Sequence, residues 1–99
     1  MATIKIDQFE IVYSANQFPP RIWLWGGGRP LGQLLFMPNG STLPPDTMVN
    51  NQVNLHYHLE NLETMMTLFR GEKTLYLQWN GPGPGFENSI QTTPEPLGT

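Results

Sequence analysis

The segment VNLHYHLENLETMMTLFR, residues 53–70, changes its hydrophobic period near its middle. Apolar and polar residues alternate from Val53 to His58, which is typical of a strand with one buried face. The apolar residues that follow recur three or four positions apart, as on one face of a helix: Leu59, Leu62, Met66 and Phe69. Gly71 comes directly after this pattern and predicts the end of the helix. The helix is therefore predicted to bury its apolar stripe against the apolar face of the sheet.

Four other segments alternate in the same way and are predicted to be strands. They cover residues 3–14, 21–25, 32–37 and 74–79. The alternation in the first of them changes phase near Asp7 and Gln8, which predicts a bulge or a bend there. Residues 26–30 predict a hairpin turn, whereas residues 38–51 contain Asn-Gly and Pro-Pro and predict a loop. The predicted fold is α+β, a mostly antiparallel five-stranded sheet with one helix on one face, in the order β-β-β-β-α-β.

The chain of 99 residues is predicted to form one domain followed by a tail. Residues 1–80 contain all the predicted strands and the helix, and we interpret them as a single α+β domain. Residues 81–99 are rich in glycine and proline, with at most one short extended piece around Ser89 to Thr92. We interpret this segment as a C-terminal tail that packs on the domain or on a partner.

The composition argues against several classes of protein. Only five residues are Lys or Arg and the net charge is −3, whereas a nucleic-acid partner calls for clustered cations. The absence of cysteine excludes disulfides and thiolate chemistry. The start of the chain lacks the apolar core of a signal peptide, and no stretch reaches membrane-spanning length. We therefore expect a cytoplasmic protein with no nucleic-acid or membrane partner.

The spacing of His56, His58 and Glu63 resembles the first metal-binding motif of the cupins, in which such residues bind a metal. The motif begins with a glycine where this chain has Asn50, and Gly71 stands one position later than its final glycine. The second cupin motif requires another histidine, and this chain contains only two. Glu63 is also predicted to lie in the helix, away from the two histidines. We therefore predict no metal site and no cofactor, and these three residues are the candidates if a metal binds.

Alternation along the strands predicts which side chains point away from the helix. If the apolar residues of each strand face the helix, the opposite face of the sheet carries several aromatic, histidine and amide side chains. The predicted binding residues on this face are Trp23, Trp25, Asn54, His56, His58, Tyr76 and Gln78. A large exposed aromatic area usually marks a binding or association surface. A second copy of the chain, the C-terminal tail or a small polar ligand could cover it, in that order of preference.

These observations predict a small non-enzymatic interaction module that works as a homodimer through the aromatic face. No catalytic residue is predicted, because no set of nucleophile, base and acid stands out in the sequence. The alternative function is a small metal-dependent or general acid–base enzyme centred on His56 and His58.

Overall fold

The computed structural model describes residues 2–93 of the chain, which form eight strands and one helical segment. The strands are β1 (Ala2–Lys5), β2 (Gln8–Val12), β3 (Arg21–Gly26), β4 (Arg29–Met37), β5 (Thr47–Val49), β6 (Gln52–His58), β7 (Leu75–Trp79) and β8 (Ser89–Thr92). A single 3-10 turn, Leu59–Asn61, leads directly into helix α1, Leu62–Arg70. The helix ends before Gly71, as predicted.

The strands form two sheets. The five-stranded sheet has the order β2-β3-β4-β6-β5, in which β4 and β6 are parallel and the other neighbours are antiparallel. The three-stranded sheet has the order β1-β7-β8 and is antiparallel throughout. The predicted α+β fold with a mostly antiparallel five-stranded sheet is therefore confirmed, and the second sheet is an addition to it.

The bend predicted near Asp7 and Gln8 is the point where the chain passes from one sheet to the other. The N–H of Ile6 donates to the carbonyl oxygen of Leu75, at 3.0 Å, in the three-stranded sheet. The N–H of the next residue, Asp7, donates to the carbonyl oxygen of Trp25, at 2.7 Å, in the five-stranded sheet. Strands that change sheets through a bend make the corners of such packings. The phase slip in the sequence thus has a structural cause.

Strand membership differs from the prediction in two places. The segment predicted as the fifth strand, now β7, does not join the other four strands but lies between β1 and β8. The edge position next to β6 is taken by β5, in a tract that was predicted to be a loop. Asn50 and Asn51 have φ angles of 53° and 62° and connect β5 to β6 as a two-residue hairpin. Asparagine tolerates this left-handed conformation, which type I′ hairpin turns require at both positions.

Both sheets and the helix share one hydrophobic core. Ile22, Leu24, Leu34 and Phe36 come from the five-stranded sheet, and Leu75 and Leu77 come from the three-stranded sheet. Helix α1 contributes Leu62, Met65 and Phe69, whereas Met66 is only partly buried beside them. The predicted stripe is therefore correct except that Met65, not Met66, is the buried methionine. No polar or charged residue among those described is fully buried.

The described part of the predicted C-terminal tail is paired with the rest of the chain. Strand β8 lies antiparallel to β7, with Ile90 opposite Leu77 and Gln91 opposite Tyr76. Ile90 packs against the shared core. The predicted extended piece is thus a strand, while the last six residues of the predicted tail, 94–99, lie outside the described residues.

Candidate functional site

The five-stranded sheet turns one face to the core and one face away from it. Ile22 and Leu24 are 0% exposed, and the alternating residues Trp23 and Trp25 are half-buried on the opposite side. We call this opposite side the outer face and define it by the residues of β3, β4 and β6 that point away from the core. Its members include Arg21, Trp23, Trp25, Gln33, Leu35, Met37, Gln52, Asn54, His56 and His58. Five of the predicted binding residues therefore share one face.

A row of amides crosses the middle of the outer face. The Gln33 Nε2 donates to Asn54 Oδ1 at 2.8 Å, and the Asn54 Nδ2 donates to Thr47 Oγ1 at 3.1 Å. Trp23 stands directly opposite Gln33 on the neighbouring strand. The side-chain hydrogen bonds fix the orientation of both amides, so Trp23 packs beside an ordered polar row. Gln33 Oε1 is buried and has no hydrogen-bond partner among the described residues.

The two histidines have different partners. His58 Nε2 lies 2.7 Å from the carbonyl oxygen of Ser41, and because a carbonyl can only accept, this nitrogen carries the proton and donates. His56 has Asp46 as its neighbour: the backbone N–H of His56 donates to Asp46 Oδ1 at 3.0 Å. The His56 Nδ1 lies 3.5 Å from the same oxygen. This nitrogen is buried without a hydrogen bond from the described residues, so the 3.5 Å contact is electrostatic.

The third residue of the candidate metal set lies elsewhere. Glu63 is exposed in the first turn of α1, and α1 packs on the core side of the five-stranded sheet. His56 and His58 are on the outer face of that sheet, so the three side chains do not converge. Within residues 2–93, no three His, Asp or Glu side chains are grouped so that they could hold a metal ion. The glutamate of the cupin-like spacing is helical here, which accounts for its separation from the histidines.

Tyr76 and Gln78 do not belong to the outer face, contrary to the prediction. They lie on β7 and point away from the core on the three-stranded sheet, opposite Gln91 and Ser89 of β8. The Gln91 Nε2 donates to Gln78 Oε1. The predicted binding surface is thus divided between two sheets, because β7 pairs with β1 and β8.

Sequence reasoning missed Asp46 and Asn88, which join distant parts of the chain. Asp46 precedes β5, and its Oδ2 accepts a hydrogen bond from Asn88 Nδ2 at 3.1 Å. Burial raises the pKa of Tyr57 to about 12, with a further contribution from the negative charge of Asp46. The predicted loop and the predicted tail gave no signal of this contact, since it joins residues 42 positions apart.

Comparison of the chain with family models, with curated proteins and with solved structures gives no match. No helix within residues 2–93 has the length and apolar character needed to cross a membrane. A functional proposal therefore rests on the geometry of the outer face and of the segments beside it.

Proposed function

We propose that the chain is a non-enzymatic interaction module that forms a homodimer through the outer face of its five-stranded sheet. The observation that carries this proposal is the position of Trp23 and Trp25. They are two residues apart on β3, project from the same face and take no part in the core cluster. Their large apolar bodies are only partly buried, and such side chains are frequent energetic anchors of interfaces.

The charges on this side of the sheet support self-association. Cross-strand pairing places Glu10 beside Trp23 and Arg21 beside Leu35, so both point in the same direction as the tryptophans. Glu10 and Arg21 carry opposite charges, and Asp46 adds one negative charge beside His56. A symmetric contact between two copies brings identical patches together, and the opposite charges of Glu10 and Arg21 limit like-charge repulsion. The low share of charged residues in the chain, 13%, has the same effect.

The test compares variants of the two outward-facing surfaces. We expect the parent to sediment as a dimer and the Trp23→Ser plus Trp25→Ser variant to sediment as a folded monomer. Loss of the two anchors should weaken association by more than about 2 kcal/mol. The matched control is Tyr76→Ser on the outward side of the three-stranded sheet, which should remain dimeric.

Analytical ultracentrifugation measures the association state, and far-UV circular dichroism measures the fold. A monomeric parent would contradict the proposal. If the Tyr76→Ser control loses the dimer to the same extent, the interface includes the three-stranded sheet and the proposal is wrong.

The contact between His56 and Asp46 favours a second candidate, a small general acid–base enzyme centred on the two histidines. A carboxylate beside Nδ1 can orient an imidazole for proton transfer at Nε2. Hydrolysis of p-nitrophenyl acetate tests this candidate: a rate lost in His56→Ala and kept in His58→Ala would favour the enzyme over the interaction module.

A further inference from the structure

A groove of about 430 Å³ lies between residues 42–46 and residues 83–86, where the predicted loop and the predicted tail face each other. Its walls are mainly apolar and include Pro44, Pro45, Pro84 and Phe86. Asp46 and His56 form its polar side. The groove shares His56 with the outer face, whereas neither Trp23 nor Trp25 lines it.

Hydrogen bonds hold the polar side of the groove in place. Asp46 Oδ1 accepts from the His56 N–H at 3.0 Å, and Asp46 Oδ2 accepts from Asn88 Nδ2 at 3.1 Å. Asn88 is itself fixed, since its Oδ1 accepts from the Asn80 N–H at 2.7 Å and its Nδ2 donates to the Gly81 carbonyl oxygen at 3.0 Å. Each oxygen of the Asp46 carboxylate therefore accepts a hydrogen bond that holds it in place.

The carboxylate of Asp46 also orients the His56 ring. Nδ1 is the buried ring nitrogen and faces Asp46 Oδ1 at 3.5 Å, and only 11% of the side chain is exposed. A nearby carboxylate favours the tautomer with the proton on Nδ1. In this tautomer Nε2 is a hydrogen-bond acceptor, and the His56 side chain lines the groove.

The aromatic part of the apolar wall is packed on the chain's own backbone. A Cβ added to Gly81 would lie 2.9 Å from Phe86 Cγ, so the Phe86 ring is packed directly on the Gly81 backbone. The ring is nevertheless exposed on its other side, since Phe86 is 52% exposed. Proline rings lose almost no side-chain entropy when a ligand packs on them. The groove thus offers a flat apolar surface at low entropic cost.

The charges of the groove restrict the ligand. No Lys or Arg is among the described residues that line it, while Asp46 contributes a negative charge, so an anionic ligand is disfavoured. A planar ring fits against Phe86 and the prolines. We propose that the groove binds a small uncharged aromatic molecule with an O–H or N–H donor, such as a phenol or an indole. The ring packs on Phe86 and the donor bonds to His56 Nε2.

Phenol and anisole are the probes, because they share a ring and only phenol has a donor. Titrations followed by amide chemical shifts in two-dimensional NMR should show phenol binding about tenfold more tightly than anisole, the effect of one hydrogen bond. His56→Phe should abolish this difference. Phe86→Ala should weaken both ligands, whereas Phe18→Ala, which removes another exposed phenylalanine in a different loop, should weaken neither.

Equal binding of phenol and anisole to the parent, or unchanged binding in Phe86→Ala, would overturn the proposal. Phe86 is exposed and outside the core cluster, so its variant keeps the test valid if His56→Phe fails to fold. The Trp23→Ser plus Trp25→Ser variant should bind phenol as the parent does. This last measurement separates binding in the groove from the two tryptophans that anchor the proposed dimer.

Discussion

The two sheets share one core, but their outward-facing sides carry different residues. On the five-stranded sheet, the outer face combines Trp23 and Trp25 with Leu35 and with amide and histidine side chains. On the three-stranded sheet, the corresponding side carries mostly polar residues, among them Thr3, Lys5, Tyr76, Gln78 and Gln91. In both sheets, the outward-facing residues alternate with core residues along each strand. Only the first combines two tryptophans with aliphatic side chains, and for that reason we propose association there.

The sheets also differ in how their polar groups are satisfied. On the outer face, Asn54 bonds to Gln33 and Thr47, which leaves Trp23 beside an ordered row. On the three-stranded sheet, Gln91 and Gln78 bond to each other across β7 and β8. Paired amides need no further partner. The two surfaces therefore differ in their tryptophans, and also in two buried polar atoms of the outer face, Gln33 Oε1 and His56 Nδ1, that have no hydrogen-bond partner among the described residues.

The largest effect is expected from breaking the core that the two sheets share. Leu77 of the three-stranded sheet and Leu55 of the five-stranded sheet are each 1% exposed. Leu77→Ala and Leu55→Ala should each lower the free energy of unfolding by about 2–5 kcal/mol, because each leaves a cavity in the same core. Urea unfolding followed by tryptophan fluorescence and by circular dichroism should give one coincident transition in both variants. Two separate transitions in Leu77→Ala would show that the sheets unfold independently, and Gln78→Ala is the outward-facing control.

The two methionines of α1 test which face of the helix packs on the core side of the five-stranded sheet. Met65 is 7% exposed, whereas Met66 is only partly buried. Met65→Ala should therefore cost about 2–4 kcal/mol of unfolding free energy and Met66→Ala distinctly less. Thermal or urea unfolding of the two variants shows which substitution lowers the stability more. The reverse order would mean that the helix presents a different face to the sheet.

Urea unfolding at alkaline pH tests the burial of Tyr57, which lies on β6. Tyr57 stacks on Phe36 at 5.8 Å on the core side, and burial raises its pKa from 10.0 to about 12, with Asp46 as the second cause. The neutral phenol is favoured in the folded state, so its stabilising contribution is complete below pH 10 and is lost as the pH rises towards 12. Urea unfolding at pH 9 and 11 should show a smaller fall in stability for Tyr57→Phe, which keeps the ring. Equal falls in parent and variant would contradict the assignment.

The smallest effect is expected from zinc on the outer face. His58 Nε2 donates to Ser41, His56 Nδ1 faces Asp46, and Glu63 lies on the far side of the sheet. Excess zinc should therefore leave the thermal midpoint unchanged in the parent and in His56→Ala plus His58→Ala alike. A midpoint that rises with zinc in the parent alone would restore the metal-site interpretation.

Several elements followed from the sequence because their signals are local. The helix end at Arg70, the strand from Gln52 to His58 and the bend at Asp7 are all visible in the order of apolar and polar residues. Alternation also separated Ile22 and Leu24 from the two tryptophans correctly. The Asn50-Asn51 dipeptide was a further local signal of a hairpin turn, since asparagine tolerates the left-handed backbone that such turns require.

The sequence by itself thus determined the class of the fold and the direction in which most strand side chains point. Only the tertiary structure decided that β7 joins β1 and β8, which removed Tyr76 and Gln78 from the outer face. It also decided that Asn88 reaches Asp46 and closes a groove beside His56. Periodicity depends on neighbouring residues, whereas sheet membership depends on hydrogen bonds between segments that are far apart in the chain. The path of the connecting loops selects those partners, and no pattern within a single strand records it.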